Sequence, residues 1–336
     1  MPEKTVLVTG ASGEIGQALI HSLSNEKSLD VISVDLKPLP DEFEGKSTHI
    51  IGNLVDKDLL AQLEKEYSFS QIYHLAAVLS TTAEYNPLLA HQVNTCSTID
   101  LLEIAARQSQ VTETSVQFIF PSSIAVYGLP DLKTKYSVPP LTEDQYTDPT
   151  TMYGCSKLYC EKAGVYYSQH YLQLADVIPT RVDFRAVRFP GIISAFTVPS
   201  GGTSDFGPEM IHAAAQGKPY ECFVRPDVRI PFMFMPDAVK ALLDLAHAPQ
   251  ETLSRRVYNV TSFSFSAGDF QKLVLEGFPE AEIKYIPDPK RQAIVDSWPA
   301  DINDQAARSD WNWIPAQDAD QSCQEYLIKN VIKRYN

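Results

Sequence analysis

Tyr153 and Lys157 stand four residues apart in the run Tyr153-Gly154-Cys155-Ser156-Lys157. On a helix that spacing puts a phenol and an ammonium on one face, about one turn apart. A Tyr hydroxyl titrates near 10 and is a poor base at neutral pH, but a neighbouring cation favours the phenolate and lets it take a proton from an alcohol. Two residues on a solvated helix face have the same spacing, so the pair needs further chemistry beside it. The run Pro121-Ser122-Ser123-Ile124-Ala125-Val126-Tyr127-Gly128 follows an apolar strand at 116–120. A Ser at such a strand end can hydrogen-bond a substrate oxygen, or it can cap a turn.

The elements that must position these groups begin near the amino terminus. Thr5-Val6-Leu7-Val8-Thr9 reads as a buried strand, Gly10-Ala11-Ser12-Gly13-Glu14-Ile15-Gly16 as a glycine turn, and the residues to about Leu23 as a helix. In that arrangement Gly10 permits the tight turn, Gly13 lets a pyrophosphate approach the amides of the helix N-terminus, and Gly16 lets the helix lie close on the strand. A second strand, 31–35, ends in Asp35, about twenty residues past the turn, where a ribose diol presents two hydroxyls. A 2'-phosphate would meet that carboxylate and no Arg follows it, so the expected cofactor is NAD rather than NADP.

Strands at 47–51 and 71–75 end in Gly52-Asn53-Leu54 and Ala76-Ala77, and each is followed by helix-like sequence. Small residues there leave room for adenine and ribose at the carboxyl edge of a parallel sheet. A helix carrying Asn94 is expected to run to about Arg107, the Tyr/Lys helix to about Tyr171, and a sixth strand from Asp183 to a Pro190-Gly191 exit. From Ile192 the alternation changes. A glycine-rich loop, 199–208, precedes a helix to about Gln216, and Asp237 opens another to about His247. The expected architecture is a doubly wound α/β parallel sheet over 1–191, with 230–260 returning to it. A smaller substrate lobe, 192–229 and 261–336, is expected to close over the cleft, with Gly201, Gly202 and Gly207 as hinges.

Composition bounds the partners. The 336 residues are 44% hydrophobic and 21% charged, as in an ordinary globular protein, and the net charge of -14 gives no basic footprint for nucleic acid or an anionic membrane. A small molecule is the expected ligand. The five cysteines form no CxxC pair, so no disulfide framework and no metal site is expected. With neither a signal-like start nor a membrane-length apolar run, the expected location is the cytoplasm.

Taken together, Gly10/Gly13/Gly16, Asp35, His74-Leu75-Ala76-Ala77, Ser123, Tyr153 and Lys157 resemble the extended short-chain dehydrogenase/reductase family, a Rossmann-type fold, over nearly the whole chain. Five passages point within it to the branch that oxidises L-threonine: 72–80, 121–128, 188–194, 201–205 and especially 291–299. The resemblance implies that Tyr153 takes the proton of the 3-hydroxyl, Ser123 holds that oxygen, and Lys157 lowers the phenol while binding the nicotinamide ribose. The hydride of C3 then passes to NAD, giving 2-amino-3-oxobutyrate. It further implies that Gly10, Gly13, Glu14, Ile15, Gly16, Asp35, Asn53, Leu54, Leu75, Ala76, Ala77, Asn94, Pro190 and Ile192 contact NAD. Ser80, Thr203, Asp205 and Trp298, with Ser123 and Tyr153, would hold the amino acid.

Each of these has a plainer alternative, such as an Asx-turn for Asp205 or core packing for Trp298. The family implies a homodimer through two helices, while the longer segments 110–114 and 171–180 at their ends leave a monomer open. An NDP-sugar epimerase or dehydratase of the same superfamily is the rival reading. Its usual Arg is replaced in Ile230-Pro231-Phe232-Met233-Phe234-Met235-Pro236-Asp237, with Arg229 adjacent. A non-catalytic NAD-binding protein is the remote one.

Overall fold

Among the described residues of the computed structural model there are twelve short strands: β1 Lys4–Thr9, β2 Leu29–Asp35, β3 Thr48–Ile51, β4 Phe69–His74, β5 Val116–Ser123, β6 Val182–Phe189, β7 Gly191–Ile193, β8 Tyr220–Cys222, β9 Arg229–Phe234, β10 Val257–Asn259, β11 Phe263–Ser266 and β12 Ile283–Tyr285. The described residues are 4–176, 178–199, 201–316 and 323–335; Met1 to Glu3, Val177 in the 171–180 segment and Ser200 in the glycine-rich loop lie outside them. The chain divides into two compact units: Met1–Ser122 with Cys155–Val187 and Leu242–Val257, and Ser123–Gly154 with Arg188–Ala241 and Tyr258–Asn336.

The first unit is organised on a seven-stranded sheet of order β3-β2-β1-β4-β5-β6-β10. Pairing is parallel from β3 through β2, β1 and β4 to β5. This is a doubly wound sheet, and its strand order reverses between β1 and β4, the point at which such folds place ligands. Leu7, Ile32, Ile72, Phe118 and Phe184 are wholly buried, which is why the strands read as continuous apolar runs rather than alternating ones. The second unit holds a three-stranded sheet of order β11-β9-β7 and the pair β12-β8. Its core is aromatic: Phe206, Phe232 and Phe270 stack edge to face, with the Phe232 and Phe270 centroids 5.0 Å apart. Gly207 is forced by that packing, since a Cβ would lie 2.7 Å from the Phe270 ring.

Two local expectations are corrected. Asn94 does not lie on a plain α-helix. It sits in a π-helical turn, His91–Cys96, after which an α-helix runs Ser97–Thr112, a turn beyond Arg107. The extra length at 110–112 is helical, and Glu113 in the left-handed region (φ 54°) ends it. The sixth strand ends at Phe189, just before the expected Pro190-Gly191 exit. Pro190 lacks the amide that would continue the ladder, and Gly191 starts β7, pairing with β9 in a different sheet. A Cβ at Gly191 would meet the Phe232 ring at 2.6 Å.

Residues 178–181 are tied to the end of the Ser97–Thr112 helix. Gln110 donates to the Ile178 carbonyl at 2.5 Å, the Ser109 and Thr180 hydroxyls are 3.1 Å apart, and Arg181 N–H donates to Ser109 Oγ at 3.0 Å. Among the described residues no helix is long and apolar enough to cross a membrane. All five cysteines are free thiols.

Candidate active site

The nucleotide side is assembled within the first unit by the turns that leave β1, β2 and β4. Gly10 has φ +69°, open to glycine but strained for other residues, and a Cβ there would lie 2.7 Å from Ala76 N. At Gly16 a Cβ would lie 2.4 Å from the Gly10 carbonyl, so the helix Glu14–Leu23 can press on the turn only without a side chain there. The amides of the first helical turn follow Gly13, which caps the helix in extended conformation. Gly10 N–H donates to Val34 O at 3.0 Å, tying the turn to β2. At the end of β2, Asp35 Oδ2 accepts Ser12 N–H at 3.0 Å and Oδ1 accepts Lys37 N–H at 3.1 Å.

This cradle fits NAD: two turn positions admit no side chain, a helix N-terminus suits a pyrophosphate, and a carboxylate stands where the adenosine ribose belongs. Around it Leu54 is buried, Leu75, Ala76 and Ala77 are half-buried, and Asn53 forms a turn in which its Oδ1 accepts Val55 N–H at 3.2 Å. Asn94 is committed otherwise. Its Oδ1 accepts Val78 N–H at 2.7 Å, and its Nδ2 donates to Val78 O at 3.0 Å and to Ser156 Oγ at 3.2 Å. It therefore shapes the chain after Ala77 and anchors the Tyr/Lys helix in the same unit. The sequence assigned it only as a cofactor contact.

His74, within the resemblance but given no role of its own, holds β4 in register. Nδ1 meets Thr9 Oγ1 at 2.8 Å and Nε2 meets Thr98 Oγ1 at 3.0 Å. Burial first, then the Lys157 charge, lower its pKa to about 3, so it is a neutral structural imidazole and not an acid-base group.

Tyr153 and Lys157 lie on one helix, Met152–Gln169, one turn apart as the spacing demands. Its first turn is set in the second unit by Thr151, whose Oγ1 accepts Gly154 N–H at 3.0 Å. Gly154 itself lies against the turn Ile124–Val126, where a Cβ would be 2.0 Å from Ala125 O. Ser123 caps that turn, its Oγ accepting Ala125 N–H at 3.2 Å. A hydroxyl that accepts one bond keeps its proton for another oxygen, so capping and substrate binding are compatible in Ser123.

Lys157 donates to Pro121 O at 2.7 Å and lies 4.5 Å from the Phe120 ring centroid. Buried Glu161, one turn further, accepts Ser122 Oγ at 2.5 Å. Neither Ser122 nor Glu161 carried a signal of this role in the sequence beyond the Ser pair and a Glu four residues after Lys157.

Burial pushes the Tyr153 phenol up to about 12 and the Lys157 ammonium down to about 8, the latter against an upward pull from Cys160 and Glu161. The lowering of the phenol expected from Lys157 is not seen: the Tyr153 shift is upward and its cause is desolvation.

The residues expected to hold the amino acid fall in both units. Ser80 opens a short helix, Ser80–Tyr85, in the first. In the second, Thr203 is buried and Asp205 Oδ2 accepts Gly202 N–H at 2.7 Å. Trp298 ends the helix Pro289–Ser297 and is 4% exposed, with a buried indole N–H that has no hydrogen-bond partner among the described residues. Pro190 is buried between β6 and β7, and Ile192 lies opposite Met233 on β9. Arg229, the residue that kept the nucleotide-sugar reading open, is spent within the second unit, pairing with Asp269 and with the Ser264 carbonyl.

Similarity to known proteins runs over the same span. The mitochondrial L-threonine 3-dehydrogenase of Bos taurus is 34% identical over 312 residues, 93% of this chain and 78% of that protein. Two solved structures are similar at full length. The L-threonine dehydrogenase of Clostridium difficile is 31% identical with a TM-score of 0.85, covering 100% of this chain and 99% of its own. A monomeric L-threonine 3-dehydrogenase from a metagenome, in apo form, is 34% identical with a TM-score of 0.83, covering 98% and 100%. Residues 6–261, from the strand before the glycine turn to just beyond β10, match the NAD dependent epimerase/dehydratase family, and the chain belongs to that family.

Proposed function

We propose that this protein oxidises the 3-hydroxyl of L-threonine with NAD, forming 2-amino-3-oxobutyrate and NADH. The observation that carries this is the helix on which Tyr153 and Lys157 share one face while its first turn rests on the turn capped by Ser123. Similarity of about a third in identity to threonine dehydrogenases over nearly the whole chain supports the substrate.

Bound NAD supplies the acceptor for the C3 hydride, and Gly10, Gly13, Gly16 and Asp35 hold it. The helix N-terminus, through Glu14 and Ile15, takes the pyrophosphate. Tyr153 removes the hydroxyl proton as C3 becomes a carbonyl, and Ser123 Oγ donates to the same oxygen. Lys157 supplies the positive charge that favours the phenolate. Asp205 pairs with the ammonium, Thr203 and Ser80 offer hydroxyls to the rest of the zwitterion, and Trp298 keeps water from the reacting carbon. Burial raises the phenol to about 12, so turnover should climb as the pH is raised through the alkaline range.

The test follows NADH absorbance with NAD and L-threonine, with UDP-galactose and UDP-glucose as parallel substrates. Threonine-dependent NADH is expected, and conversion of a nucleotide sugar instead would overturn the reading. Tyr153→Phe should abolish turnover and leave NAD affinity nearly intact, and near-normal activity would remove Tyr153 from the mechanism.

A cytoplasmic location is part of this reading, and fractionation checks it. A homodimer remains the reading that the family implies, with a monomer as its alternative. Glu103 accepts the Tyr167 and Tyr171 hydroxyls, and Arg107 is held by Glu64, so the Ser97–Thr112 helix is engaged in cis. Sedimentation decides between the two.

A further inference from the structure

The stretch Arg291-Gln292-Ala293-Ile294-Val295-Asp296-Ser297-Trp298-Pro299 is longer than its one substrate residue, Trp298, requires. Its other groups fix the helix Pro289–Ser297 to separate segments of the second unit. Gln292 Oε1 accepts Arg225 N–H at 2.7 Å, and the Asp296 carboxylate takes the Arg225 guanidinium at 2.9 and 3.0 Å. Val295 O accepts the Lys135 ammonium at 2.8 Å, and Ser297 O accepts Leu129 N–H at 2.8 Å.

Arg291 reaches the glycine-rich loop. Its Nη2 donates to Gly202 O at 2.8 Å, and its guanidinium lies flat on buried Phe223, 3.1 Å from the ring centroid. The same Gly202 carbonyl accepts Asp205 N–H at 3.2 Å, and Gly202 N–H donates to the Asp205 carboxylate at 2.7 Å. Just before it, Gly201 has φ +84°, a conformation that favours glycine, with nothing within 4 Å of its Cβ position. A planar guanidinium lying over a ring has few conformations left to lose, which suits it to hold a glycine-bearing loop in one geometry.

We propose that Arg291 is the positioning residue of the substrate side, locking the Gly202–Asp205 loop to the helix that ends in Trp298 so that Thr203 and Asp205 meet the amino acid in one fixed geometry. The inference rests on the threonine-oxidising reading. Arg291 touches no reacting atom in this account. Its fork is used by Gly202 and its face by Phe223, so it acts through Asp205.

Arg291→Ala and Arg291→Lys, assayed as full-length protein with NAD and L-threonine, separate this from a general structural role. Arg291→Ala is expected to raise KM for threonine on the order of tenfold, the loss of one charge-assisted hydrogen bond, with KM for NAD and the melting temperature nearly unchanged. Arg291→Lys keeps one donor and should recover part of the loss. Amides of Gly202 and Asp205 should exchange faster in Arg291→Ala without any ligand. An unmoved threonine KM, equal changes in both KM values, or unchanged exchange would overturn the assignment. Absence of threonine turnover in the wild type sinks the underlying reading instead, whereas wild-type turnover with an unmoved Arg291→Ala KM sinks the positioning role alone.

Discussion

At the scale of single residues, the proposed chemistry depends on a contest between burial and charge around Lys157. Desolvation lowers the ammonium to about 8, and the Cys160 and Glu161 charges pull the other way. Glu161 therefore does two things from one buried site: it helps keep Lys157 protonated and it accepts the Ser122 hydroxyl just before Ser123. Glu161→Gln keeps an acceptor for Ser122 but removes the charge, so Lys157 should lose its proton at lower pH. The alkaline limb of kcat/KM for threonine should shift to lower pH, with little loss of stability. A limb that stays in place would show that Glu161 has no electrostatic hold on Lys157. Glu161→Ala also orphans the Ser122 donor, at a cost of about 1–3 kcal/mol in a urea titration.

At the scale of elements, the helix Met152–Gln169 is placed by what its first turn lacks. Gly154 approaches Ala125 O so closely that any Cβ must displace backbone, and Gly164 lies against the Phe184 ring in the same way. Gly154→Ala should cost at least about 2 kcal/mol in urea unfolding and lower kcat more than KM for NAD, because the shift falls on Tyr153. A silent substitution would mean the helix start is free to move.

The sequence makes part of this legible. Apolar runs ending in Gly10, Asp35 and Ala76-Ala77 reveal strands buried on both faces, and the Tyr/Lys spacing reveals a helix, because each rests on local periodicity. Tertiary closeness leaves no such trace. Nothing local marks Gly154 as a contact of Ala125, Asn94 as a clamp on Val78, or Pro190 as the place where the chain changes sheets. The desolvation that lifts Tyr153 is likewise a sum over neighbours distant in sequence.

At the scale of the whole molecule, the buried titratable groups set how stability varies with pH. Lys135 and Lys157 are each pushed down to about 8 from 10.5, chiefly by burial. Between those values the unfolded chain binds more protons than the folded one, so raising pH through the window favours folding. Cys160 and Cys222 move oppositely, up to about 11 from 9.0, and Tyr127 and Tyr153 up to about 12 from 10.0, again chiefly by burial. There the folded chain keeps protons the unfolded chain has lost, so stability falls above 9 for the thiols and above 10 for the phenols. The lysines act alone from about 8 to 9, the thiols offset them from 9 to 10, and the phenols tip the balance beyond. Urea midpoints measured under reducing conditions should therefore rise between pH 8 and 9, by on the order of 1 kcal/mol per lysine at most, level off, and drop above 10. Lys135→Met should flatten part of the rise, since a neutral side chain of similar length has no proton to release. A midpoint that declines steadily from pH 7 would mean that both lysines titrate in the folded chain as they do in solvent.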